Sequence, residues 1–219
     1  MIRIERTPTA PASLSYEATL VNGSYNREDV VIQLQEDFHN KCYICEIQPV
    51  QDPEVEHLLP HKGRSIKERV FDWNNLFFSC SHCNGMKNQS KYDNGIIDCC
   101  KVDPEKYIRF SYIDGSVEIS KIEDYPLVDL TVELLYEVYN KKNTGIRTYT
   151  CKIRVDELSK EMNILYKNLQ RYQQNQSDTL ALRGIRVSLR RESPFAAFKR
   201  CYVRENLNKY PALAEYVAL

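Results

Sequence analysis

A chain of 219 residues with 30 basic and 30 acidic side chains is long enough to bury a core as one or two domains, but its zero formal charge excludes a basic coat over the whole surface. Nucleic-acid contact must then come from a local cluster of cations. No apolar run reaches membrane-spanning length, and the opening Met1-Ile-Arg-Ile-Glu-Arg lacks a signal peptide's apolar core, so a soluble cytoplasmic protein is expected, with its eight cysteines free of disulfides.

Residues 1–16, with Pro8 and Pro11, show no period and read as an extended arm laid on the surface or on a partner. From Asn26 to about His39 the spacing of Val30, Val31, Leu34 and Phe38 predicts a helix, so 1–40 forms an arm and a helix. A compact module follows at 41–95. Cys42-Tyr-Ile-Cys45 and Cys80-Ser-His-Cys83 bracket a strand over Pro53–Pro60, a basic loop and a second strand over Leu76–Ser79. A helix is predicted from Ser81 through Lys91, giving a ββα unit.

The remainder, 96–219, reads as mainly helical with one β-hairpin. Asp114-Gly115 between two β-rich runs predicts a hairpin over 107–120, because a type I′ turn needs positive φ at both central residues. After Pro126 a helix presents Leu130, Leu134, Leu135 and Val138, with Gly145 as its stop. A longer helix over about 150–175 carries a seam of Cys151, Val155, Leu158, Met162, Leu165, Leu169 and Tyr172. This seam is either half of an internal helical hairpin or a partner-docking surface. Arg183–Arg204 then holds seven cations against Glu192 alone, either a solvated face or a grip on phosphates. The fold class is α+β.

Two pairs at CxxC spacing, with 34 residues between them, predict that Cys42, Cys45, Cys80 and Cys83 close one tetrahedral structural zinc site. His82 is then surplus and is expected to be exposed. Cys99, Cys100, Cys151 and Cys201 are scattered and read as small buried apolar residues. Between the cysteine pairs stand Glu56, His57 and Asn75, with Asn84 and Lys87 just beyond the second pair. Phosphodiester hydrolysis needs a base to activate water and a cation to take up charge. His57 is the natural base near neutral pH. Glu56 and Asn84 can supply oxygen to Mg²⁺ or another divalent ion, Asn75 can fix the loop behind His57, and Lys87 can reach a phosphate. Neighbours on a regular strand point to opposite faces, so Glu56 and His57 share a site only if the strand ends or bulges there. In a regular strand Glu56 becomes a structural carboxylate. Lys62, Arg64 and Lys67, with Lys87, are the candidate nucleic-acid contacts.

In this order, Glu56-His57, Asn75-Leu76 and Cys80-x-x-Cys83-Asn84-x-x-Lys87 resemble the HNH endonuclease pattern. That resemblance implies a zinc-stapled ββα-metal fold, with the acid and the last Asn as metal ligands, His57 as base and Asn75 as orienter. Outside the core, Ile96-Ile97-Asp98, Asp103-Pro104-Glu105 and Ser193-Pro-Phe-Ala-Ala-Phe-Lys-Arg200 look like the PtuB family. Those are the HNH effectors of Septu antiphage defence systems, also found beside retrons. This wider resemblance implies an ABC-type ATPase partner (PtuA-like) and, in retron settings, association with a reverse transcriptase and its DNA. DNA is the favoured substrate, with tRNA as the alternative. A zinc-stapled adaptor that binds nucleic acid without cleaving it is the non-enzymatic reading.

Overall fold

The computed structural model describes residues 1–219. The arm is a surface feature only in part: residues 5 and 8–10 are exposed and Ala12–Glu17 is helical, but its start is buried. Met1, Ile2 and Ile4 are buried, the Ile4 amide donates to Cys99 O at 3.0 Å, and the Met1 ammonium meets Glu46 at 2.6 Å. An opening run with two isoleucines and no period can fill a groove in a core built by other segments, and periodicity cannot report that. Two short helices follow, α1 (Ala12–Glu17) and α2 (Glu28–Asp37), the latter burying Val30 and Leu34.

Strands β1 (Pro53–His57) and β2 (Leu76–Cys80) pair antiparallel from Pro53↔Cys80 to His57↔Leu76 with no bulge. The loop between them contains the single turn α3 (Lys67–Val70). Helix α4 (Ser81–Lys87) leaves β2 directly and ends at Asn88, short of the predicted Lys91. Strand, loop, strand and helix therefore succeed one another in the predicted order.

Strands β3 (Ile108–Ile113) and β4 (Ser116–Lys121) form the second hairpin. Asp114 and Gly115 turn it with φ of 49° and 81°, as the Asp-Gly pair requires. Helix α5 (Val128–Asn140) buries Leu134, Leu135 and Val138. It stops well before Gly145, which instead opens α6 (Gly145–Gln174), because the Thr144 hydroxyl accepts from the Arg147 amide and caps the new helix. Helices α7 (Thr179–Ser188) and α8 (Ala196–Glu205) follow. Gly184 lets α7 lie close against α6, since a Cβ there would sit 2.6 Å from the Asn168 amide nitrogen.

The seam of α6 is internal, and it does not form a docking surface. Leu158 and Met162 belong to a core cluster that draws on the arm, both hairpins, α5 and α8. Leu165, Leu169 and Tyr172 pack with Ala181, Ile185, Val203 and Leu213 in a second cluster. At 30 residues, α6 is about 45 Å long and spans both clusters. The C-terminal cations are corrected as well. Arg200 and Arg204 both pair with Glu105, Arg191 pairs with Asp103, and Lys199 is buried against Glu161 at 2.9 Å. These four side chains hold the C-terminal segment to the rest of the fold, three of them through the 103–105 turn, and are not a free phosphate grip. Arg183, Arg186 and Arg190 stay exposed.

Candidate functional site

All four paired cysteines are buried and free of disulfides, and their sulfurs lie within 4.8 Å of one another. A tetrahedral zinc with bonds of about 2.3 Å holds its sulfurs roughly 3.8 Å apart. The Cys45 and Cys80 sulfurs are separated by 3.9 Å, so the donor set fits such an ion. His82 is not surplus surface. It is buried, with Nε2 3.0 Å from Val138 O on α5. Its place inside the second CxxC turn gave no hint that α5 would cover it. Of the other cysteines, Cys99, Cys151 and Cys201 are buried and Cys100 is half-buried.

A cleft of about 370 Å³ opens between β1, the loop that follows it and α4. His57, Asn84, Lys87 and Glu56 all line it, so four of the five residues singled out between and beyond the cysteine pairs come together. Tyr25, His61, Asn88 and Asp93 line it too. Tyr25 comes from the loop before α2 and Asp93 from the segment after α4, and no local spacing links either to His57. His61 belongs to the basic loop after β1.

The His57 ring is fixed on three sides. Nε2 lies 3.0 Å from Val70 O, and the Tyr25 and His61 rings meet it edge-on with centroids at 4.5 Å. A carbonyl only accepts, so Nε2 carries the proton and Nδ1 keeps the lone pair. Burial pushes the imidazole down to about 4. The bond to Val70 opposes this, while His61, Lys87 and Arg64 add to it. The ring is therefore an unprotonated base throughout the neutral range.

Asn75 sits behind this loop. Its Oδ1 accepts from the Leu59 amide at 2.7 Å, and its Nδ2 donates to Leu59 O at 3.0 Å and Arg69 O at 2.9 Å. One amide side chain thus clamps both ends of the segment between the strands, the end leaving His57 and the end arriving at Val70.

Glu56 requires correction. The strand is regular through Glu56 and His57, and although neighbours on a strand alternate in direction, both residues line the cleft. Glu56 is 4 % exposed, and its carboxylate accepts from the Tyr43 hydroxyl at 2.5 Å and from Lys87 Nζ at 2.7 Å. Burial raises its pKa, against the lowering effect of Lys87 and Tyr43. It is first of all a structural carboxylate. Lys87 is corrected with it. At 3 % exposure it gives its remaining donors to His57 O and Leu58 O, both at 2.9 Å, leaving none for a phosphate. Asn84 is half-buried, and its Nδ2 faces Glu54, which leaves Oδ1 free.

Of the loop's cations Lys62 lines the cleft, whereas Arg64 and Lys67 line a separate pocket with Leu20 and Phe71. Lys62 pairs with Asp93 at 3.0 Å, and Arg64 donates to Gly23 O at 2.8 Å beside the Tyr25 ring. Lys67 is exposed and makes no ion pair. No helix is long and apolar enough to cross a membrane.

No protein-family model matches the chain. Among characterised proteins it is similar to the Septu protein PtuB of Bacillus thuringiensis, with 28% identity over 178 residues. The matched stretch covers 75% of this chain and 67% of that relative, a distant similarity over most of both.

Proposed function

We propose that the chain is a metal-dependent HNH endonuclease. It would hydrolyse phosphodiester bonds, most readily of DNA, as the nuclease subunit of an antiphage defence complex. The observation that carries this reading is the contact of His57 Nε2 with Val70 O at 3.0 Å. Val70 O accepts the hydrogen bond of Nε2–H and leaves Nδ1 as a base in a polar cleft lined by Asn84. In this reading His57 removes the proton of the attacking water, and Val70 O supports the charge that develops on the ring. Asn75 keeps the ring in place by holding the loop.

A divalent ion in the cleft would meet Asn84 Oδ1 and the lone pairs that Glu56 retains beyond its bonds to Tyr43 and Lys87. Few protein ligands suit a hydrated Mg²⁺. When bound, such an ion supplies positive charge for the phosphate and for the leaving oxygen. The four-cysteine cluster would hold zinc and keep β1, β2 and α4 together, with Lys62, Arg64 and Lys67 positioning the backbone of the substrate. The similarity to a Septu protein supports the defence setting and, through it, an ABC-type ATPase partner.

Nicking of supercoiled plasmid, run beside single-stranded DNA and tRNA, tests the reading. The wild type should cleave one of them with Mg²⁺ and not in EDTA, and His57→Ala should lower the rate about 10²–10⁴-fold with binding retained. Cleavage that persists in His57→Ala or in EDTA refutes it.

A further inference from the structure

The long helix brings a charged group to the four-cysteine cluster that the hydrolytic reading does not use. Arg154 of α6 is 7 % exposed, and its Nη2 lies 3.1 Å from Cys80 Sγ. Nη1 bonds Thr150 O at 2.9 Å within the same helix, and Nε has no partner at all. The guanidinium makes no ion pair with any carboxylate.

A buried guanidinium needs a counter-charge. Four neutral thiols cannot provide one, because a thiol sulfur is a weak acceptor. A divalent ion held by four thiolates carries a net charge of about −2, and Cys80 Sγ is the atom of that group at which Arg154 points. We propose that Arg154 is the counter-ion of a metal-bound Cys80 thiolate, and that through it metal occupancy controls the docking of α6 onto the β1–β2–α4 unit. The inference rests on the zinc reading of the cysteines and is independent of whether the cleft cleaves anything.

The consequence runs in two directions. With metal bound, Arg154 offsets part of the cluster's excess negative charge and slows loss of the ion. With metal removed, the guanidinium is stranded inside the protein. The first half of α6 then separates from its seat, although Arg147 still reaches Gly85 O at 3.1 Å. The second half of α6, packed with α7 and α8, has no such charge and keeps its packing.

The test uses the full chain as wild type, Arg154→Met and Arg154→Lys. Zinc content of the purified, unstripped chain is measured first, and folded protein that carries no zinc as purified refutes the zinc reading on which the inference rests. Zinc release to excess 4-(2-pyridylazo)resorcinol should be about 10–100-fold faster in Arg154→Met, the usual scale for an outer-shell partner of a metal ligand. Arg154→Lys keeps the charge and should fall between the two. Amide exchange should show that stripping zinc from the wild type deprotects residues 145–162 while 179–205 stay protected. In stripped Arg154→Met, which buries no charge, 145–162 should remain protected. Equal release rates in wild type and Arg154→Met overturn the proposal. So does an identical loss of protection along the whole of both stripped chains, which would make zinc a staple with no role for Arg154.

Discussion

Lys87 Nζ lies 2.7 Å from a carboxylate oxygen of Glu56, and both side chains are buried. The same ammonium binds the carbonyls of His57 and Leu58, so α4 grips β1 at the point where the strand gives way to the loop. Removing one member of a buried pair leaves the other uncompensated and costs about 3–5 kcal/mol. Lys87→Met should lose about that much in urea melts. The double variant Lys87→Met/Glu56→Gln should recover part of it, since no unpaired charge remains. Equal stability of Lys87→Met and wild type would return Lys87 to solvent and to the phosphate role.

Asn75→Ala should act through the loop. It leaves the Leu59 amide and the Leu59 and Arg69 carbonyls without their partner, at about 1–3 kcal/mol for a buried group left unsatisfied. Faster amide exchange at Leu59 than in wild type, with the exchange of β3 and β4 unchanged, is the expected outcome. If the cleft is hydrolytic, cleavage should fall although His57 is intact. Unchanged exchange at Leu59 would separate Asn75 from the site.

The cations of the two halves should behave differently. Arg200 places Nε 2.9 Å from Glu105 and reaches the carbonyls of Tyr216 and Ala218. Arg200→Ala should therefore lower stability by about 3–5 kcal/mol and leave the salt dependence of nucleic-acid binding as it was. Lys67→Ala should leave the melting temperature in place and reduce the slope of log K against log salt by about 1. The opposite pattern in binding and melting measurements would put the phosphate contacts back at the C-terminal end.

Glu46 gives stability a pH dependence. Burial pushes its carboxyl up, but the Met1 ammonium and Lys41 together hold it down at about 2. An unfolded glutamate titrates near ~4.3, so the folded state prefers the ionised form by about 3 kcal/mol. That contribution is whole above about pH 4.3 and fades as the pH falls through about 2. The stability gap between wild type and Glu46→Gln should therefore be wide at pH 7 and shrink on acidification. The cysteine cluster is common to both proteins, so its own acid sensitivity drops out of the comparison. A gap independent of pH would refute the assignment.

The sequence by itself determined what local chemistry determines. Asp114-Gly115 set a turn because its two residues accept positive φ, and the CxxC pairs set a sulfur cluster because each places two thiols on one tight turn. Short runs between the cysteine pairs placed β1 and β2, 3.6-residue spacing placed α2 and the seam of α6, and the amide at 75 was legible as the loop's anchor. Only the tertiary structure decided what those elements face. Met1, Ile2 and Ile4 fill a groove made by distant segments, and the α6 seam is covered by α5, α7 and α8. Lys87, Arg191, Lys199, Arg200 and Arg204 are neutralised by carboxylates far away in the chain. Tyr25 reaches His57 from the loop before α2, and Arg154 reaches Cys80 from 74 positions away. A charge or an aromatic ring looks the same in the sequence whether it meets solvent or a partner. The counter-charge and the covering surface arrive through long-range packing, which no local period encodes.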